Sequence, residues 1–280
     1  MRLIATVAAM RETSRGARRE GKTMAFVPTM GYLHRGHLAL LKEAKKRADL
    51  VVASIFVNPT QFNESEDFSS YPREPERDRK LLEENGVDIL FLPATEEVYP
   101  EGFQTTIDVT GLSEGLCGSS RPGHFSAVAT VVAKLFNILR PDVALFGEKD
   151  YQQLALIRRM NADLNFGISI VGVPTVREHD GLAMSSRNAG LSPEERKAAP
   201  SLYRALSRGR KLFERGERKA EAIIGEAKGV IENPIELDYL EIRDSETLAK
   251  IEEISGEAAF AIAARLGKTR LIDNIILKEK

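Results

Sequence analysis

The 280-residue sequence predicts an α/β protein, a doubly wound parallel sheet followed by a smaller α+β unit at the carboxyl end. Three observations carry this expectation. Short apolar runs alternate with amphipathic stretches of helical period as far as about residue 175, and the runs are continuous, as in parallel strands buried on both faces. Charge density then rises: 34 of the 88 residues after Ser192 are charged, against 47 of the 192 up to it. Finally, division by about 150 residues per domain gives roughly two units. Their expected bounds are 1–175 and 176–280.

The elements follow in order. A charged helical stretch precedes the strand MAFVPTM (24–30), and HLALLKEAKKRA (37–48) places its apolar residues at helical spacing before the strand DLVVASIFV (49–57). ERDRKLLEEN (76–85) reads as a helix stopped by Gly86, and VDILFLP (87–93) as a strand. FQTTIDV (103–109) is predicted as a strand, FSAVATVVAKLFNILR (125–140) as a helix and VALFG (143–147) as a strand. The helix QQLALIRRMNADL (152–164) and the strand ISIVGVPTV (168–176) complete the sheet. Beyond Ser192 come a helical stretch at 193–216 and a helix at 219–233. Strand-like stretches at 235–244, 258–266 and 269–277 close the chain, the first alternating with period two.

Composition excludes several classes. Forty Lys+Arg against 41 Asp+Glu leave a formal net charge of −1, so no global field gathers nucleic acid or anionic lipid. No apolar run approaches the ~18 residues of a membrane span. The segment MRLIATVAAMRETSRG lacks the pattern of an export leader. With Cys117 as the single cysteine, these features predict a protein of the reducing cytoplasm with neither nucleic acid nor membrane as partner.

Three segments carry candidate chemistry. Pro28–His37 lies at the carboxyl end of a strand and opens a helix, where open α/β sheets bind ligands. His34 and His37, three apart, share a face beside unpaired backbone N–H groups, and Gly31 and Gly36 permit close approach, which suits phosphate. Protonated or hydrogen-bonding imidazoles there would stabilise charge developing on phosphorus. Gly147–Gln153 repeats the arrangement after the next strand, with Lys149 as a point charge and Asp150 as an acceptor for ribose hydroxyls. Ser185, Ser186 and Arg187 then form a compact set of phosphate donors on a loop at the composition change. Capping histidines, an ordinary charged helix start and a generic loop are the plainer explanations. Zinc is disfavoured, because four histidines and one cysteine offer no tetrahedral set. Residues 16–23, GARREGKT, satisfy the P-loop pattern but have a helix before and a strand after, the reverse of what that mechanism needs.

His34-Arg35-Gly36-His37 and Met184-Ser185-Ser186-Arg187 resemble the HIGH and KMSKS signatures of the nucleotidyltransferase superfamily. The blocks FVPTMGYLHRGHLALLKEA, SIFVNPTQFN, YPREPERD, RPGHFSAVATVV, LFGEKDYQQLALIRRM and VGVPTVREHDGLAMSSRN, in order over about 24–190, are similar to the pantothenate synthetase family. The last 90 residues are similar only in general character. The resemblance implies a Rossmann-like amino domain, a smaller carboxyl domain and a homodimer formed through the amino domain. It also implies a two-step ligase reaction in which pantoate and ATP give pantoyl adenylate, which β-alanine converts to pantothenate.

Carried over by position, Met30, Gly31, Tyr32, Leu33, His34, Arg35, Gly36 and His37 bind ATP, as do Gly147, Glu148, Lys149 and Asp150. Val176 lies on the adenine side and Met184, Ser185, Ser186 and Arg187 meet the triphosphate. His37, His34 and Lys149 are the implied catalytic groups, and Gln61 and Gln153 hold pantoate, with Gln61 also near the incoming amine. Mg²⁺ is implied on the phosphates, whereas a protein ligand is not, since only Asp78 of the family's aspartate pair has a clear counterpart. An adenylyltransferase with a phosphorylated acceptor is the competing enzyme. A tRNA-binding relative without chemistry is the competing binder.

Overall fold

The computed structural model describes residues 1–62, 68–69 and 71–279. Six parallel strands form the larger sheet: β1 (Arg2–Ile4), β2 (Met24–Thr29), β3 (Leu50–Ile55), β4 (Ile89–Phe91), β5 (Val143–Gly147) and β6 (Ser169–Val173), in the order β1-β4-β3-β2-β5-β6. The chain winds outward from β2 through β3 to β4, then returns to place β5 on the other side of β2. Strand order therefore reverses between β2 and β5, and a crevice opens at their carboxyl ends.

The helices α1 (Val7–Arg19), α2 (Arg35–Ala44), α3 (Pro75–Glu84), the short α4 (Thr95–Val98) and α5 (Cys117–Ser120), α6 (His124–Leu139) and α7 (Tyr151–Asp163) connect these strands. Alternate residues of β2 serve opposite layers: Met24 and Phe26 pack with Met10 of α1 and Phe136 of α6, while Ala25 and Val27 pack with Leu41 of α2 and Leu82 of α3. That two-sided burial is the reason its sequence is a continuous apolar run.

After β6 come α8 (Pro193–Ala198), α9 (Ser201–Glu214), α10 (Ala220–Lys228) and an antiparallel sheet of β7 (Glu236–Asp244), β8 (Ala258–Leu266) and β9 (Thr269–Leu277), in that order. Phe260 and Ile262 of β8 join the core with α9 and α10, whereas Ala259 and Ala261 pack with the core of the larger sheet. The small sheet is thus covered on both faces.

Two expectations need correction, and one strand is added. Residues 103–109 form no strand, because the backbone of Ile107 is satisfied by α6, donating to Thr130 Oγ1 (2.9 Å) and accepting from Ser126 Oγ (3.1 Å). The helical stretch at 193–216 is two helices, since Pro200 has no N–H to continue the first. The three-residue edge strand β1, paired with β4, has too little sequence to announce itself.

Candidate active site

The end of β2 and the first turn of α2 make one wall. His34 is the N-cap of α2, with extended backbone, and its Nδ1 accepts the Gly36 N–H at 3.1 Å. In return His37 Nδ1 accepts the His34 N–H at 3.2 Å, a capping box made of two imidazoles whose ring centroids lie 4.1 Å apart. Both Nδ1 atoms are acceptors, so the proton of each neutral ring is on Nε2. Gly36 is required here, since a Cβ would sit 2.8 Å from the His34 ring. Burial lowers the His34 pKa to about 4, helped by the charge of Lys149, and burial with His34 alongside lowers His37 to about 3. With pKa values this low each ring is a neutral Nε2–H donor at physiological pH, the hydrogen-bonding form of the two.

The preceding turn is anchored from α3. Asp78, 1% exposed, accepts the N–H groups of Tyr32 and Leu33 through separate carboxylate oxygens, both at 2.7 Å. Tyr32 adopts positive φ (51°) under this hold.

The opposite wall comes from β5 and the segment after β6. A 3₁₀ turn at Glu148–Asp150 presents the largely buried Lys149 with Nζ 3.7 Å from Asp150. Arg177 pairs with Ala183 in an antiparallel bridge, Met184 N–H donates to Val176 O (3.0 Å), and Ser185 Oγ caps the turn that follows by accepting Arg187 N–H (3.2 Å).

Between the walls lies a cleft of about 240 Å³. Met30, His34, Gly36, His37, Gln61, Gly147, Lys149, Asp150, Gln153, Val176, Met184, Ser185, Ser186 and Arg187 all line it. Gly31, Tyr32, Leu33, Arg35 and Glu148 are not among its lining residues. Leu33 is wholly buried in the core between α2 and the sheet, Gly31 faces Asp78 and Ile55, and Arg35 pairs with Glu178 at 3.0 Å.

The structure adds residues that the motifs did not single out. Asn58 Nδ2 donates to Gln61 Oε1 (3.1 Å), and Gln61 Nε2 contacts Met30 Sδ at 3.0 Å. Arg121 donates to His124 Nε2 (3.1 Å), which leaves Nδ1–H to donate to the Gln61 carbonyl (2.9 Å); burial, then Arg121, lowers the His124 pKa to about 4. Tyr71 also lines the cleft, and Val128, Val131, Val132 and Leu135 give it an apolar flank. Those four follow an i, i+3, i+4, i+7 pattern, identical to that of a helix facing the core, so periodicity alone had no means of marking them.

The family model for pantoate-beta-alanine ligase matches residues 2–276. A pantothenate synthetase from Heliobacterium modesticaldum is 55% identical over 282 residues, covering 99% of this chain and 100% of that protein. Among solved structures, pantothenate synthetase from Thermus thermophilus has a TM-score of 0.94 and 48% identity, with 100% of both chains covered. The pantoate-beta-alanine ligase of Francisella tularensis, solved in complex with beta-gamma ATP and beta-alanine, has a TM-score of 0.81 and 32% identity, covering 100% of this chain and 99% of that one.

Proposed function

Because the chain belongs to the pantoate–β-alanine ligase family, we infer that the cleft between β2 and β5 carries out that family's reaction. The enzyme is an ATP-dependent ligase that condenses pantoate with β-alanine into the amide pantothenate. A pantoate carboxylate oxygen attacks the α-phosphorus of ATP and pyrophosphate departs, leaving pantoyl adenylate. The β-alanine amine then attacks the acyl carbon, AMP leaves, and the nitrogen loses a proton.

One observation carries the assignment of residues: neutral imidazole donors, a lysine and the Ser185–Arg187 loop share a single cleft with two glutamines and an apolar flank. A carboxylate attacks a polyanion only where charge on phosphorus is neutralised and the acid is held in line. The Nε2–H groups of His34 and His37, with Lys149, supply the first condition without the mutual repulsion of three cations. Gln61 and Gln153 supply the second through amide donors and acceptors suited to hydroxyls and a carboxylate. The α6 valines and Phe56 suit the two methyl groups of pantoate. A phosphorylated acceptor would instead need a second basic pocket, and this flank is apolar.

Among the described residues no group composes a protein-held Mg²⁺ site. Asp78 commits both oxygens to backbone N–H groups, and Asp150 faces Lys149. Mg²⁺ would come with the triphosphate and help to neutralise its charge. The same reading takes 1–175 as a Rossmann-like domain for nucleotide and pantoate, and 176–280 as the domain that covers the phosphates. It has the enzyme working in the cytoplasm as a homodimer joined through the first domain.

Exchange of labelled pyrophosphate into ATP tests the reading. Exchange should require pantoate, proceed without β-alanine and fall sharply with deoxy analogues, whose absence of hydroxyls leaves buried amides unpaired. Gln153→Ala should weaken pantoate binding and relax that discrimination, and Lys149→Ala should mainly impair ATP use. A requirement for β-alanine, or undiminished discrimination in Gln153→Ala, would contradict it.

A further inference from the structure

Two adjacent residues of β9, far in sequence from every motif of the cleft, hold both of its nucleotide-facing segments. Asn274 is 7% exposed and lies on the face of the small sheet turned toward the larger one, where its neighbours Ile272 and Ile276 pack. Its Nδ2 donates to the backbone carbonyls of Glu148 (2.9 Å) and Lys149 (2.8 Å). Both amide hydrogens are thereby used, one for each carbonyl of the turn that carries Lys149. That turn has no side-chain cap of its own.

Asp273, on the other face, accepts both guanidinium donors of Arg177, at 2.6 and 2.9 Å, and Arg177 also donates to Gly181 O (3.1 Å) and Asn274 O (3.3 Å). The guanidinium stacks on Tyr203 at 3.7 Å. Arg177 pairs with Ala183, the residue before Met184–Arg187. One dipeptide on a strand with complete pairing to β8 thus joins the lysine turn to Arg177, whose bridge to Ala183 leads into the Ser185–Arg187 loop.

We propose that Asn274 is a positioning residue for adenylation, acting through Lys149: by holding the Glu148 and Lys149 carbonyls it aims the ammonium at the ATP phosphates. The small sheet is in this view part of the nucleotide site. Adenylation is steeply sensitive to such aim, because a misplacement of about 1 Å costs on the order of 10²-fold. The inference rests on the assignment of Lys149 to the phosphates made above.

The test compares Asn274→Ala, Lys149→Ala and the double variant by pyrophosphate exchange, with ATP and pantoate each varied. Asn274→Ala should lower kcat/KM for ATP by ~10-fold or more and move KM for pantoate by less than about 2-fold, and in the Lys149→Ala background its further effect should fall below about 2-fold. Asn274→Asp, equal in shape but presenting acceptors to the two carbonyls, should impair ATP use at least as much, and serves where the alanine variant folds poorly. Unchanged ATP parameters, equal losses for ATP and pantoate, or an effect that multiplies in full on Lys149→Ala would each overturn the proposal. If Lys149→Ala itself uses ATP normally, the phosphate assignment falls and this proposal with it. An impaired Lys149→Ala beside an unimpaired Asn274→Ala removes only the latter.

Discussion

In the proposed mechanism the imidazoles of His34 and His37 serve folding and chemistry with different nitrogens. Each Nδ1 caps the first turn of α2, and each Nε2–H is left for a ligand. His37→Ala should lower adenylate formation by ~10²-fold, as loss of one oxyanion-type donor does. The lost cap should cost only about 1 kcal/mol of stability. Near-normal single-turnover adenylation by that variant would remove the role. The depressed pKa values also fix the expected pH response. With His37 titrating at about 3 and His34 at about 4, neither ring changes charge as pH falls through 6.5. In exchange, kcat/KM for ATP, which reports the free enzyme, should therefore show no histidine limb near 6.5. A limb there that disappears in His37→Ala would mean that the rings are exposed in solution.

Secondary-structure order distinguishes the two phosphate-binding motifs that the sequence offers. At β2–α2 the strand leads into the helix, so the helix N-terminus faces the crevice. At residues 16–23 α1 leads into β2, and Lys22 pairs with Glu20 at 2.7 Å, away from the cleft. Lys22→Ala should leave KM for ATP unchanged, and a severalfold rise would restore the P-loop reading. Helix α9 offers a test of packing. A Cβ on Gly209 would strike Phe260 of β8 and come within 2.9 Å of Ile223 of α10. Alanine gains about 1 kcal/mol of helix propensity over glycine but overpacks a filled core at a cost of about 1–3 kcal/mol. The second effect wins, because the contacted groups are wholly buried. Gly209→Ala should lower stability by roughly 1 kcal/mol in urea denaturation, and a stabilised variant would show that α9 and β8 separate easily.

For the whole molecule, three desolvated neutral histidines, His124 buried and His34 and His37 partly so, couple stability to acid. His34, His37 and His124 titrate at about 4, 3 and 4 when folded, against 6.5 for a free imidazole. As pH falls from 6.5 toward 4 the unfolded chain takes up protons that the folded chain refuses, so stability declines across that window. Carboxylates such as Asp244, held low by hydrogen bonds from Thr247, lose their contribution only below their ordinary 3.8. The urea midpoint should thus drop between pH 6.5 and 4.5, above the range in which the lowered carboxylates protonate. A flat midpoint over that interval would mean that the three rings are solvated in the folded state.

The linear sequence determined what depends on near neighbours. Apolar runs and helical periods placed the strands and helices, with 258–266 and 269–277 recovered to the residue. The strand-turn-helix context of His34–His37, the lysine turn and the Ser185–Arg187 loop were legible because each is a local signal, and the ordered blocks around them named the family. Three things were decided only by the tertiary structure. Asp78 reaches Tyr32 across 46 positions, His124 reaches Gln61 across 63, and Asn274 reaches Lys149 across 125. No periodicity links such pairs, since an isolated aspartate or asparagine looks the same whether it is solvated or grips a distant backbone. The charge of the histidines belongs with them: desolvation sets it, and desolvation is a property of the closed core, which exists only once both sheets have packed around the cleft.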